Sequence, residues 1–132
     1  MVVTNNESTQ AAALDLLDDV IERAKKAGAD AVDTVLFDSA SLSVSYRLGE
    51  RENVVRSESN DLGIRVLIGQ GQGLVSSSDT SARALDELVD RAVAMAKAAT
   101  ADPYCGLAPE DRLSGEIPDL DLFDGDEPSS ET

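Results

Sequence analysis

Three kinds of residue in this chain have types and spacing that could do chemistry: a run of glycines, a run of aspartates and three strand arginines. Gly69-Gln-Gly71-Gln-Gly73 follows the β-branched stretch Leu62–Ile68, as a dinucleotide-binding loop would. That loop needs G-x-G-x-x-G opening a helix, so that free backbone N–H groups meet a pyrophosphate. Here the third glycine comes one residue early, and Leu74–Ser78 has strand character instead of supplying a helix N-terminus. No Gly-Lys-Ser/Thr is present for a phosphate loop either. The expectation is a turn between antiparallel strands, with the glycines supplying positive φ. The acidic run Asp119-Leu-Asp-Leu-Phe-Asp124 fails as a calcium loop. Counted from Asp119 the fifth position is Phe123, and counted from Asp121 the third is Phe123. It reads as a solvated connector. Carboxylate neighbours such as Asp18 and Asp19, or Glu50 and Glu52, have nothing that singles out an acid–base pair. Ser76-Ser77-Ser78 has neither a G-x-S-x-G context nor a base.

Histidine is absent and Cys105 is the one cysteine. Imidazole bases, Ser–His and Cys–His pairs, and the common zinc ligand sets are thereby removed. An intrachain disulfide is removed too. The chain is expected to hold no catalytic residues and no cofactor of its own. Arg47, Arg56 and Arg65 fall on strands. If they share the outer face of the sheet, they are candidates for contact with a peptide or a partner subunit. The plainer reading is solvent-facing charge balanced by Glu50, Glu52 and Glu58.

These residues need elements to position them. With 132 residues, 42% of them apolar but only two Phe, two Tyr and no Trp, the chain suits one domain with an aliphatic core. The net charge of −15 repels nucleic acid and anionic membranes. From Asp102 onward lie ten of the 26 acids and one of the 11 bases, so much of the excess sits in the C-terminal segment. The N-terminus lacks the basic and apolar regions of a signal peptide, and no apolar run approaches the roughly 20 residues of a membrane helix. A soluble, cytoplasmic protein is expected.

Residues 1–8 are polar and read as disordered. Ser8 or Thr9 can cap a helix over Gln10–Ala27, whose stripe includes Leu14, Leu17 and Ile21 and which Gly28 stops. Strands follow at Val32–Phe37, at Leu42–Leu48 after a turn at Ser39–Ser41, at Arg51–Ser59 after a turn at Gly49-Glu50, at Leu62–Ile68 and at Leu74–Ser78. Asp79, Thr80 or Ser81 caps a second helix over Ala82–Ala99. The connections are too short for parallel crossovers. The expected fold is α+β, a two-layer sandwich of order α-β-β-β-β-β-α with a mainly antiparallel sheet. The domain spans 9–100. Residues 101–132 form a Pro- and Gly-containing acidic connector, whose Leu107, Ile117, Leu120, Leu122 and Phe123 suggest a segment that docks on something.

Taken in order, A-G-A-D-A-V-D, S-L-S-V-S-Y-R-L-G-E and S-E-S-N-D-L-G-I-R-V-L-I-G-Q-G-Q-G-L-V-S-S-S-D resemble the N-terminal domain of the TldD/PmbA family, also labelled modulator of DNA gyrase. D-P-Y-C-G-L-A and L-D-L-F-D resemble its PmbA (TldE) branch. The resemblance implies a cytoplasmic subunit about three times this length, paired with a TldD-like catalytic subunit that acts on peptides. In the family, zinc is held by an H-E-x-x-x-H motif in the C-terminal domain of TldD. No residue here matches that motif, so zinc is expected only in the catalytic partner. The present chain would be a scaffold and recognition domain. The alternative is a free-standing protein-binding module with no role in proteolysis.

Overall fold

The computed structural model describes residues 7–122 together with 124 and 126. Helix α1 runs Glu7–Lys26, strand β1 Ala31–Arg47, strand β2 Glu50–Ile68, strand β3 Gly71–Ser77 and helix α2 Ala82–Ala98. The three strands form one antiparallel sheet in the order β1-β2-β3. Both helices and the antiparallel meander agree with expectation. The strand count does not: among the described residues there are three strands, not five.

The difference has a local cause. Ser39–Ser41 was expected to turn, yet it continues β1 and pairs with Ser57–Ser59 in unbroken register. Serine has no obligate turn conformation. A matching serine run across the strand offers it partners, as in the Ser39 Oγ–Ser59 Oγ hydrogen bond of 2.9 Å. Arg51–Ser59 and Leu62–Ile68 likewise fuse into β2. The result is a long hairpin that turns at Leu48 (φ 53°) and Gly49 (φ 83°). Two consecutive positive φ values make a two-residue turn whose twist matches the flanking strands.

Each helix starts and stops for readable reasons. After α1, Gly28 N–H donates to Lys25 C=O and Ala29 N–H to Ala24 C=O, with Gly28 at φ 102°. These are the two bonds of a Schellman stop, which needs glycine's freedom. The helix begins at Glu7, so Ser8 and Thr9 lie within it and neither is its cap. Residues 1–6, and the disorder expected there, fall outside the described residues. Ser81 caps α2, its hydroxyl accepting from Ala84 N–H. Asp79 Oδ1 accepts from Ser81 N–H at 2.8 Å, and the Ser81 backbone and side-chain hydrogen bonds hold the Asp79 carboxyl below its ordinary pKa.

The core lies between the helices and one end of the sheet. Leu62, Ile64 and Val66 of β2 meet Val20 and Ala24 of α1 and the α2 stripe of Leu85, Leu88, Val89, Ala92, Val93 and Ala96. The strand alternation puts Val32, Thr34 and Leu36 of β1 on this inner face, and Gly71 and Gly73 of β3 as well. Only Gly69 of the three glycines takes positive φ, 57°. Gly71 and Gly73 serve a different purpose from the one expected: α2 lies directly on them. A Cβ at Gly71 would stand 2.3 Å from the Ala96 carbonyl oxygen, and one at Gly73 would stand 2.2 Å from that of Ala92.

Past α2, Asp102 N–H donates to Gln70 C=O, drawing the chain back to the β2–β3 turn. The described part of the acidic segment is mostly exposed, with a single 3₁₀ turn at Glu110–Arg112. Leu107, Ile117, Leu120 and Leu122 are exposed there, while Phe123 lies outside the described residues. Gly73→Ala should therefore destabilise the domain by about 1–3 kcal/mol, the usual cost of overpacking. Gly115→Ala, where a Cβ meets nothing within 4 Å, should stay within about 0.5 kcal/mol in the same urea titration.

Candidate interaction surface

The outer face of the sheet is built by the residues alternating with the core set: Asp33, Val35 and Phe37 of β1, Gly63, Arg65 and Leu67 of β2, and Gln72, Leu74 and Ser76 of β3. No helix covers it. Val35 (58% exposed), Phe37 (65%) and Leu74 (67%) stand open around a central ion pair, whereas Leu67 is buried at 4%. Cys105 comes within electrostatic reach of Arg65, and Asp102 bonds Gln70. The segment after α2 is thus tied to the β2–β3 turn at one end of this face.

The ion pair joins direct cross-strand neighbours. Arg65 Nε donates to both carboxylate oxygens of Asp33 at 3.0 Å, and its Nη2 donates to Asp33 Oδ2 as well. Hydrogen bonding to Asp33, then its charge, raises the Arg65 pKa above the ordinary guanidinium range. The fork geometry holds the guanidinium flat and in place. Both groups are partly exposed, so the pair contributes modestly to stability, about 0–1 kcal/mol.

The three strand arginines do not share one face or one patch. Arg56 and Arg65 are an odd number of residues apart on a continuous strand, so they point to opposite faces. Arg56 lies on the extension of the inner face opposite Leu42, with its Nε 2.8 Å from Glu58. Arg47 sits at the hairpin turn, roughly 45 Å along β1 from Asp33 at 3.3 Å per residue. It pairs with Glu52 at 3.6 Å. The expectation of a shared outer face assumed separate strands whose phase was free. The pairing register fixes Arg56 and Arg65 on opposite faces, and the length of β1 sets Arg47 apart at the turn. Asp33, unmarked in the sequence reading, is the residue that matters to Arg65. Its place in the alternation Val32/Thr34/Leu36 against Asp33/Val35/Phe37 was the available signal.

Elsewhere, an open groove between the helices is lined by Arg23, Lys26, Ala27, Asp86, Val89 and Asp90. Arg23 bridges Asp19 and Asp86 across it. Lys26, on the same groove, pairs with Glu22. Among the described residues, no group of three His, Cys, Asp or Glu side chains could hold a metal ion. No described helix is long and apolar enough to cross a membrane.

A family model described as PmbA/TldA metallopeptidase domain 1 matches residues 32–96, nearly the whole sheet and α2. The metalloprotease PmbA homolog of Haemophilus influenzae is 42% identical over 103 residues, 78% of this chain. The metalloprotease PmbA of Escherichia coli O157:H7 is 36% identical over 94 residues, 71% of this chain. This chain carries the first domain of the PmbA/TldD family. It spans 23% and 21% of the length of those two relatives. The fold is shared with family members of known structure. TldE from Thermococcus kodakarensis superposes with a TM-score of 0.66 at 20% identity, over 79% of this chain and 23% of its own. A Bacteroides thetaiotaomicron protein described as a modulator of DNA gyrase superposes at 0.75, also 20% identical, over 94% and 26%. The matched region of the PmbA/TldD first domain contains Asp33, Arg65 and both buried glycines.

A double-mutant cycle on Asp33 and Arg65 measures the pair. Arg65→Glu, which sets like charges directly opposite, should be less stable than Arg65→Gln. The exchanged pair Asp33→Arg/Arg65→Asp should recover most of the loss. The coupling should be about 0.5–1 kcal/mol in urea melts.

Proposed function

We propose that this chain is the N-terminal scaffold and recognition domain of a PmbA-like, TldE-type subunit in a cytoplasmic metallopeptidase complex that acts on peptides. The observation that carries the reading is the 42% identity to a metalloprotease PmbA homolog across 78% of the chain. The zinc of such a complex would be held on a TldD-like catalytic partner. The domain would supply a wall or a contact surface. The outer face, with its aromatic and aliphatic residues around a fixed guanidinium, has the make-up of a protein-contact patch. Arg65 is the strand arginine best placed to serve there, and Arg47 and Arg56 would meet a partner only at other surfaces.

The test is capture of a TldD-type subunit by the purified chain, with Arg65→Glu/Phe37→Ser as comparison and circular dichroism as the fold control. Binding to the wild-type chain, and a loss of about tenfold or more in the variant, is expected. No binding to any TldD-type subunit, or peptide cleavage by the chain alone that resists chelators, would contradict the reading.

A further inference from the structure

Among the described residues the sheet has three stretches of free strand edge, and they are not protected alike. β3 is the shortest of the three strands, and α2 packs closely over its Gly71 and Gly73. The part of β2 beyond β3's reach, Glu50–Asp61, carries Glu50, Arg51, Glu52, Arg56, Glu58 and Asp61. It also has a register shift opposite Ser45/Tyr46 that makes Glu52 the extra residue. Charges and bulges of this kind keep other chains off an edge. The outer edge of β1 is different. From Ser39 to Ser45 it reads Ser-Ala-Ser-Leu-Ser-Val-Ser, with no charge, no proline and no irregularity until Tyr46. In a chain of net charge −15 this seven-residue stretch, bounded by Asp38 and Arg47, carries no charge of its own.

The same seven residues are near-palindromic about Leu42. In an antiparallel pairing of two copies centred there, Ser39 stands opposite Ser45, Ala40 opposite Val44, Ser41 opposite Ser43 and Leu42 opposite Leu42. Serine meets serine on one face, and apolar meets apolar on the other. No like charges oppose each other. Further out, Asp38 stands opposite Tyr46 and then Phe37 opposite Arg47, the second a pair suited to cation–π contact. We propose that the Ser39–Ser45 edge of β1 binds the same edge of a second copy of this chain, antiparallel about Leu42. The two arms then make one four-stranded ribbon in the order β2-β1-β1-β2. Half-exposed Leu42, Tyr46 and Val54 of each copy come together on one face of it. The contact is small, below the roughly 1,200 Å² of a standard interface, so the association is transient and rises with concentration. The proposal does not depend on what the whole protein acts on, and its test involves no partner subunit.

Sedimentation equilibrium of the 132-residue chain should show the average mass climbing toward twice that of one chain as concentration rises. Leu42→Lys and Leu42→Glu each set like charges opposite one another on the two-fold axis. Each alone should weaken association by about tenfold or more, and an equal mixture of the two should restore it. The variants Ser41→Lys/Ser43→Lys and Ser41→Glu/Ser43→Glu repeat the test on the opposite face, should the first pair disturb folding by circular dichroism. A wild-type chain that stays monomeric, variants that associate as the wild type does, or an edge whose amide resonances shift only with an added extended peptide, would each overturn the proposal.

Discussion

The backbone of α2 rests on the backbone of β3, and most of the fold depends on that contact. Gly71 and Gly73 leave no side chain between helix and sheet, and Ala92 and Ala96 are the helix residues that come down on them. The close approach lets Leu85, Leu88, Val89 and Val93 reach Leu62, Ile64 and Val66 on the central strand. A buried aliphatic side chain of this size contributes about 1.5–3 kcal/mol relative to exposure. With no Trp and two Phe, that central cluster has no large aromatic to fall back on. α1 adds Val20 and Ala24 and is tied to α2 by Arg23 and Asp86.

The same contact defines where order stops being enforced by packing. α2 is 17 residues long and covers the end of the sheet where β3 pairs, Leu62–Ile68. Beyond Phe37 on β1 and Asp61 on β2, the two strands continue as a ribbon with neither face under a helix. A two-stranded ribbon alone is marginal in water. This one is continued from a packed sheet in fixed register, which sets its phase and direction. An exposed Leu48 at positive φ closes it, at a cost a glycine or asparagine would avoid.

Much of this was legible in the sequence and some was not. Both helices showed in the spacing of apolar residues, in Ser81 and in Gly28. The antiparallel order showed in the short connections, and the hairpin at the glycine run in its failure to fit a phosphate loop. The extra strands came from treating Ser39–Ser41 and Asn60–Asp61 as breaks. Polar residues end a strand only if the backbone has nowhere to continue, and here each run had a pairing partner across the hairpin. The role of Gly71 and Gly73 was hidden for a related reason. A glycine that makes room for a helix looks, in one dimension, like a glycine that turns. The faces taken by the three arginines, expected to be one outer face, were not legible because side-chain phase is a property of register, and register is set by the strand on the other side.

What the family relationship adds is a context for a domain with a bare sheet face and an uncovered arm. The chain spans less than a quarter of the length of the PmbA relatives it matches. The central claim is physical: one half of the domain is held by α2 on the glycine strand, and the arm is held by strand pairing alone. Native-state amide hydrogen exchange on the chain, dilute enough to be monomeric, tests it most directly. The account predicts that amides of Leu62–Ile68 and Gly71–Ser77 exchange only through global unfolding, while those of Ser39–Ser45 and Asn53–Ser59 exchange through local opening at clearly lower free energy. Equal protection along the whole length of β1 and β2 would contradict it.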